Sequence, residues 1–294
     1  MNHVVKLIAV DLDGTLLNED KKISKRNLDA IKNAQAQGIE IVVATGRAHF
    51  DVEAILKDTD FKTWIISANG ATIHQPNGEL YHSVSINHQE AIDILEWLET
   101  ENYYYEVSSN EFIYSPKNGP QQLAFEMEQV HQANPEISLV EMENAAQMQY
   151  SQTGFSFIES HKELLGESID IFNILAYSFD KEKLSKGLEK FKQCNSLSAV
   201  KSHINNFEIQ HRNVSKGKAL KLLAKKLNID LIHTAAIGDS ENDLSMFKIV
   251  GRSAAMGNAH QEIKNCCDEV TLSNKEDGVS HFINSLTKKI KFVC

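Results

Sequence analysis

Short apolar runs alternate with helically spaced apolar positions at both ends of this 294-residue chain. Val4–Val10 is an apolar run interrupted only by Lys6, the pattern of a strand buried on both faces. Ser24 is placed to cap a following helix that carries Leu28 and Ile31 on one side and ends near Gly38. Ile39–Ala44 and Trp64–Ala68 read as second and third buried strands. The C-terminal part repeats this rhythm. Ala219, Leu220, Leu223, Ala224 and Leu227 keep helical spacing, and strands are predicted at His233–Ile237, Ser253–Met256 and Val270–Leu272, with a short helix at Leu244–Ile249. Strands that alternate with helices imply an α/β unit with a parallel sheet covered on both faces.

The middle of the chain follows a different pattern. From Tyr81 to Gln210 it is richer in Glu, Gln, Asn and aromatics, and its predicted strands (Tyr105–Ser108, Phe112–Ser115, Ala199–His203, Phe207–Gln210) tend to alternate. Alternation indicates a sheet with one wet face. We therefore divide the chain into a core, residues 1–83 and 212–294, and an inserted α+β segment, residues 84–211. Tyr103-Tyr104-Tyr105 fits a strand edge and core packing better than a platform for stacking a ligand.

Composition narrows the class of partner. With 30 Lys+Arg against 40 Asp+Glu the net charge is −10, which argues against nucleic acid or an anionic membrane as the main partner. It leaves room for a small anion held at a local basic spot. Cys194, Cys266, Cys267 and Cys294 form no C-x-x-C and read as reduced thiols. The opening MNHVVKLIAVDLDG resembles neither a signal peptide nor a membrane span, and a terminal Cys excludes a prenylation box, so a soluble cytoplasmic protein is expected. Oligomeric state leaves no trace in the sequence.

Asp11-Leu12-Asp13-Gly14-Thr15 follows the first strand directly, at the strand end where open α/β sheets bind ligands. In an extended chain two carboxylates two residues apart point the same way, and they stay ionised together only beside positive charge. A hard cation such as Mg²⁺ supplies it. Gly14 permits a sharp turn that Thr15 can tie. Capping acids at an ordinary strand-to-helix turn would also suit these residues, although chance gives D-x-D-G-T in a chain of this length only roughly once in several hundred sequences.

Three further segments fall at the same sheet edge. Thr45-Gly46-Arg47 can grip a phosphate oxygen through a hydroxyl and an uncrowded amide, or can be a simple turn. Gly238-Asp239-Ser240-Glu241-Asn242-Asp243 adds acids that would repel Asp11 and Asp13 without a cation, which makes Asp239 a natural third oxygen ligand; helix capping is the alternative. Lys216, at a strand-to-helix junction, can neutralise phosphate or be solvated. No G-x-G-x-x-G or Walker A sequence follows any predicted strand, which disfavours nucleotide-dependent dehydrogenases.

These four segments, in their order and spacing, resemble the haloacid dehalogenase superfamily of phosphatases, and within it the Cof-like hydrolases with a type-IIB cap. Asn69-Gly70-Ala71, Ala255-Met256-Gly257-Asn258-Ala259 and Glu276-Asp277-Gly278-Val279 extend the likeness over both core segments. It implies a Rossmann-like doubly wound parallel sheet with the insert as a cap that reads the substrate beyond its phosphate. It also implies that Asp11 is the nucleophile and Asp13 the general acid and base. Mg²⁺ is then held by Asp11, the Asp13 carbonyl and Asp239, while Leu12, Thr45, Gly46, Lys216 and Asn242 bind the phosphoryl oxygens. Asp243 is expected to anchor Lys216 or its loop, and Arg47, Asn69 and Gly70 to face the substrate. Asp13 in particular favours hydrolysis of an organic phosphate, because the superfamily's ATPases carry Thr there. The implied activity is a Mg²⁺-dependent phosphatase for a small phosphorylated metabolite, a sugar phosphate or a flavin-pathway phosphate. A phosphomutase or a low-turnover phosphate sensor are the alternatives.

Overall fold

The computed structural model describes residues 4–165 and 169–287, so Cys294 lies outside the described residues. They form two compact units, one drawn from both ends of the chain, up to Ser83 and from Val214 onward, the other from Val84–Asn213. The N-terminal segment supplies β1 (Leu7–Val10), α1 (Lys25–Ala36), β2 (Glu40–Ala44), α2 (His49–Leu56), β3 (Trp64–Ser67), β4 (Thr72–His74) and β5 (Leu80–Ser83). Ser24 caps α1 by accepting the Asn27 amide at 3.1 Å. The first strand starts at Leu7, three residues later than the apolar run suggests, although the Lys6 amide still reaches the His233 carbonyl.

The second unit is continuous in sequence. It contains α3 (His88–Thr100), β6 (Tyr104–Ser109), β7 (Ile113–Pro116), α4 (Gly119–Ala133), α5 (Leu139–Gln149), β8 (Phe155–Ile158), β9 (Ile171–Tyr177), α6 (Lys181–Lys192), β10 (Leu197–His203) and β11 (Asn206–His211). Its sheet runs β10-β11-β9-β6-β7-β8, antiparallel except between β7 and β8. Tyr105, Val107, Ile174, Ala176 and Ile209 turn one face toward Ile94, Leu98, Leu184 and Phe191 of α3 and α6. The opposite face is also covered at the centre of the sheet and mixes apolar with polar groups: Tyr104, Leu175 and Tyr177 pack with Leu123 and Met127. Glu106 is buried beneath Gln149 and Gln152, each donating at 2.9 Å, and Asn173 donates to the buried Glu208 at 2.8 Å. In the central strands the alternation thus marks polarity and not exposure, while edge strand β10 does expose Lys201 and His203. Nor is the tyrosine triplet at an edge: β6 lies between β9 and β7, and all three rings are buried.

The C-terminal segment returns to the first unit with α7 (Lys216–Lys226), β12 (Thr234–Gly238), α8 (Leu244–Phe247), β13 (Arg252–Ala255), α9 (Gln261–Lys264), β14 (Glu269–Val270) and α10 (Gly278–Thr287). Among the described residues the completed sheet runs β14-β13-β12-β1-β2-β3-β4-β5. It is parallel from β14 to β3, but β4 and β5 are antiparallel additions that the sequence reading left out. Successive residues of each central strand go to opposite layers. Ile8, Val10, Ile41 and Val43 pack with Ile31, Phe282 and Ile283 of α1 and α10. Leu7, Ala9, Val42 and Ala44 pack with Leu220 and Leu223 of α7 and with Met246 and Phe247 of α8. Complete burial of such aliphatic side chains contributes about 1.5–3 kcal/mol each, so the sheet is a firm platform for whatever its strand ends carry. Cys194, Cys266 and Cys267 are free, and no helix among the described residues is long and apolar enough to cross a membrane.

Candidate active site

β1, β2 and β12 end side by side in the first unit, and their C-terminal ends bring the sequence-selected residues together. Asp11 leaves β1 buried, with its amide bonded to the Ile237 carbonyl at 3.0 Å. The chain then winds tightly: Leu16 and Leu17 donate to the carbonyls of Asp11 and Leu12 at 3.2 and 2.9 Å. Gly14 makes this turn possible with φ 71°, and a Cβ there would run into the Asp239 carboxylate. Thr15 does not close its own turn. Its hydroxyl donates to Asp239 Oδ1 at 3.0 Å, tying the β1 turn to the β12 turn. Asn258 braces the same turn by donating to the Gly14 carbonyl at 2.8 Å.

Lys216, fully buried at the start of α7, organises the centre. Its Nζ donates to Asp11 Oδ1 at 2.6 Å and to Asp243 Oδ1 at 2.8 Å. The other Asp243 oxygen accepts the Asp239 and Ser240 amides, each at 3.0 Å, so this one residue anchors both the lysine and the loop. One carboxylate oxygen from each of Asp11, Asp239 and Asp243 lies within 4.8 Å of the other two. Asp13 does not join them, contrary to the expectation that two acids two apart would point the same way. The winding begins at Leu12, and this breaks the extended alternation.

Asp13 is instead gripped by Arg47, whose Nε and Nη2 donate to its two oxygens at 2.6 and 2.7 Å. Lys21 approaches at 3.4 Å, and Arg47 Nη1 is held by the buried Asp51 at 2.6 Å. Thr45 is buried at the end of β2, where its hydroxyl accepts the Arg47 amide at 3.2 Å. Gly46 lies against the Asn69 side chain, and Asn242 donates to Asn69 Oδ1 at 3.0 Å. Ala68, Asn69 and Gly70 take three successive positive φ values, 45°, 56° and 100°, a strained path of the kind that persists where its surroundings impose it.

The chain matches the haloacid dehalogenase-like hydrolase family over residues 8–283. It belongs to that family. It is 52% identical over 284 residues to phosphatase YwpJ of Bacillus subtilis, covering 96% of this chain and all of that one. To the 5-amino-6-(5-phospho-D-ribitylamino)uracil phosphatase YwtE of the same organism it is 38% identical over 282 residues, with 96% and 98% covered. A solved haloacid dehalogenase-like hydrolase from B. subtilis superposes with a TM-score of 0.84 at 52% identity, over 95% of this chain and 99% of that one. This haloacid dehalogenase-like chain is thus a hydrolase, an enzyme whose similar relatives are phosphatases.

Electrostatics divides the candidate site into two halves. Burial pushes the Asp11 carboxyl well above its usual range; Lys216 opposes that, while Asp243 and Asp239 add to it. Burial, then Asp243, pushes Asp239 up to about 6. Burial works against the charge on Lys216, yet Asp11 and Asp243 outweigh it and raise the ammonium further. Three crowded carboxylates, two buried and one half-buried, share one lysine and are short of positive charge, and a hard divalent cation suits an all-oxygen donor set of this kind. Asp243 has both oxygens engaged, which leaves the second oxygens of Asp11 and Asp239 best placed to take such an ion. Asp13 behaves in the opposite sense. Burial would raise it, but the hydrogen bonds and charge of Arg47, with Lys21, hold it below the usual carboxylate range. Asp51, Lys21 and Asn258 were not assigned site roles from sequence. Asp51 had a legible signal in its helical i,i+4 spacing from Arg47, whereas Lys21 and Asn258 are brought in by the tertiary fold.

Proposed function

We propose that the chain is a Mg²⁺-dependent phosphatase that hydrolyses a small phosphorylated metabolite through an aspartyl-phosphate. The observation that carries this reading is the buried Lys216 bridging Asp11 and Asp243, with Asp239 crowded against them. An Asp11 oxygen attacks phosphorus, the ester P–O bond breaks, and the departing oxygen takes a proton from Asp13. Asp13 then removes a proton from water, whose oxygen attacks the same phosphorus and releases Asp11 and phosphate. In the second half Asp13 acts as a base, and the Arg47 pairing favours its ionised form; in the first half it has to carry a proton against that preference.

Mg²⁺, held by Asp11, Asp239 and the Asp13 carbonyl, would offset repulsion between an anionic nucleophile and an anionic substrate. Lys216 keeps Asp11 aimed, and the Leu12 and Gly46 amides, Thr45 and Asn242 are the proposed partners of the phosphoryl oxygens. Asn69 and Gly70 support that cradle. We assign the second unit the role of a cap that reads the group attached to phosphate. The likeness to YwpJ supports phosphatase activity, that to YwtE supports a substrate of the phosphoribitylaminouracil kind, with a sugar phosphate as the other candidate, and the free cysteines fit a reducing, cytoplasmic setting.

Phosphate release from a panel of phosphorylated metabolites, with and without Mg²⁺, tests the reading in wild type and Asp11→Asn side by side. Asn keeps the shape of Asp and is a poor nucleophile, so release is expected to vanish while the thermal melt is retained. More than a few per cent of wild-type release by Asp11→Asn would sink the nucleophile assignment.

A further inference from the structure

We propose that Asp51 is a positioning residue for the reaction: by pinning Arg47 it fixes where the Asp13 carboxylate sits. This rests on the acid–base reading of Asp13 given above. The Asp13 side chain is 44% exposed, and among the described residues Arg47 and Lys21 are the side chains paired with it. Lys21 is a half-exposed side chain at 3.4 Å, too long and too mobile a contact to orient a carboxylate. The fork of Arg47 is different, because two parallel N–H donors at 2.6 and 2.7 Å fix the plane of the carboxylate as well as its distance.

A guanidinium on a long, rotamer-rich stem has to be held in turn. The third arm of Arg47, Nη1, meets Asp51 Oδ2 at 2.6 Å, and the Asp51 side chain is only 3% exposed. Asp51 lies in the first turn of α2, where helix N-terminal amides favour a negative charge, and Ala48 at the cap offers no side-chain bond there. An acid four residues after Arg47 on a rigid helix therefore sets the guanidinium, and the guanidinium sets Asp13. Displacing a reacting group by about 1 Å can cost on the order of a hundredfold in rate, so loosening this chain of contacts should register in turnover more than in substrate affinity.

The test compares Asp51→Asn, Arg47→Ala, the double variant and Asp13→Ala on the best substrate from the panel, with thermal melts to show that each is folded. Asp51→Asn is expected to lower kcat about tenfold with KM within about twofold, and Arg47→Ala to lower it further. The double variant should be no worse than Arg47→Ala, because on this proposal Asp51 reaches Asp13 by way of the arginine. Multiplied losses in the double variant, equal changes in kcat and KM, or wild-type kcat in Asp51→Asn would overturn the proposal. Should Asp51→Asn not fold, Arg47→Lys reads the same geometry, since one ammonium cannot fork to Asp13 while holding Asp51; wild-type kcat there would overturn it as well. Asp13→Ala separates the two ideas. If it keeps wild-type turnover, the acid–base reading fails; if it is inactive while Asp51→Asn is unimpaired, only the positioning role fails.

Discussion

Lys216→Met removes one charge from the centre of the site while keeping a side chain of similar length and apolar stem. Lys216 is 1% exposed and donates at 2.6 and 2.8 Å to Asp11 and Asp243. Removing one partner from a buried ion pair costs about 3–5 kcal/mol, because the opposite charge is left uncompensated. Here the remaining acids can partly relieve themselves, since Asp239 already sits at about 6 and Asp11 above its usual range. We expect the lower end, about 3 kcal/mol at pH 7.5 in chelator. At about 2–4 °C per kcal/mol for a unit of this size, the melting temperature should fall by about 6–12 °C. The pH dependence has a definite sign. A carboxyl whose pKa is raised on folding favours the folded state more as pH falls through that value. Lys216 lowers both Asp239 and Asp11, so without it these acids take up protons at higher pH than in wild type, and the variant's deficit should narrow by pH 5.5. Circular-dichroism melts of both proteins at the two pH values in chelator would show this. A drop under about 2 °C, or a deficit equal at both pH values, would refute the claim that Lys216 compensates crowded carboxylates.

Gly217→Ala asks whether the close approach of α7 and α8 is required at this site. Alanine is the better helix former by about 1 kcal/mol, but its Cβ would press into the Ser245 carbonyl, and such overpacking costs about 1–3 kcal/mol or more. The expected result is a lower melting temperature and weaker turnover beside Lys216; a melting temperature at or above wild type would contradict it. The stacked rings of His49 and His74, 3.5 Å apart, predict a pH-dependent loss of stability. Burial lowers both to about 4, with His49 adding to the effect on His74, so between pH 6.5 and 4 the unfolded chain binds more protons and stability falls as pH drops. Allowing for their partial exposure, the pair contributes about 2 kcal/mol over that range. Urea denaturation of wild type against His49→Phe/His74→Phe at pH 7.5 and 5.0 measures it, and parallel behaviour of the two proteins would exclude the pair as the cause.

The core strands were legible because each is a run of aliphatic residues whose two faces both find a helix layer, as Leu7 and Ile8 do on opposite sides of β1. β4 and β5 escaped notice for the opposite reason. Thr72–His74 and Leu80–Ser83 are short, polar in part and antiparallel, so they carry neither the long apolar run nor the strand–helix rhythm. At the site, the segments containing Asp11, Thr45, Lys216 and Asp239 could be read individually because each follows a strand or opens a helix. Their pairings could not. The sequence spacing of Asp11 and Asp13 suggested one shared direction, whereas Asp11 turns to a lysine 205 residues away and Asp13 to an arginine 34 residues away. Local spacing describes an extended chain, and the tight winding after β1, set by Gly14 and braced by Asn258, overrides it.

The pairing of β1 with β12 has a consequence for how the protein is made. Leu7 waits for Thr234 as its neighbour, and the entire second unit is synthesised in between. At about 5–20 residues per second, roughly 10–40 s separate the emergence of β2 from that of β12. During that interval one edge of β1 is an unpaired apolar strand near the ribosome, a natural client for a chaperone, while the uninterrupted second unit already has all of its own strands. A nascent or truncated chain ending before Lys216 holds Asp11 without the lysine and acids that surround it in the finished molecule. On the proposed mechanism, incomplete translation products would therefore be inert, and chemistry would become available only once roughly the last quarter of the chain has closed the sheet.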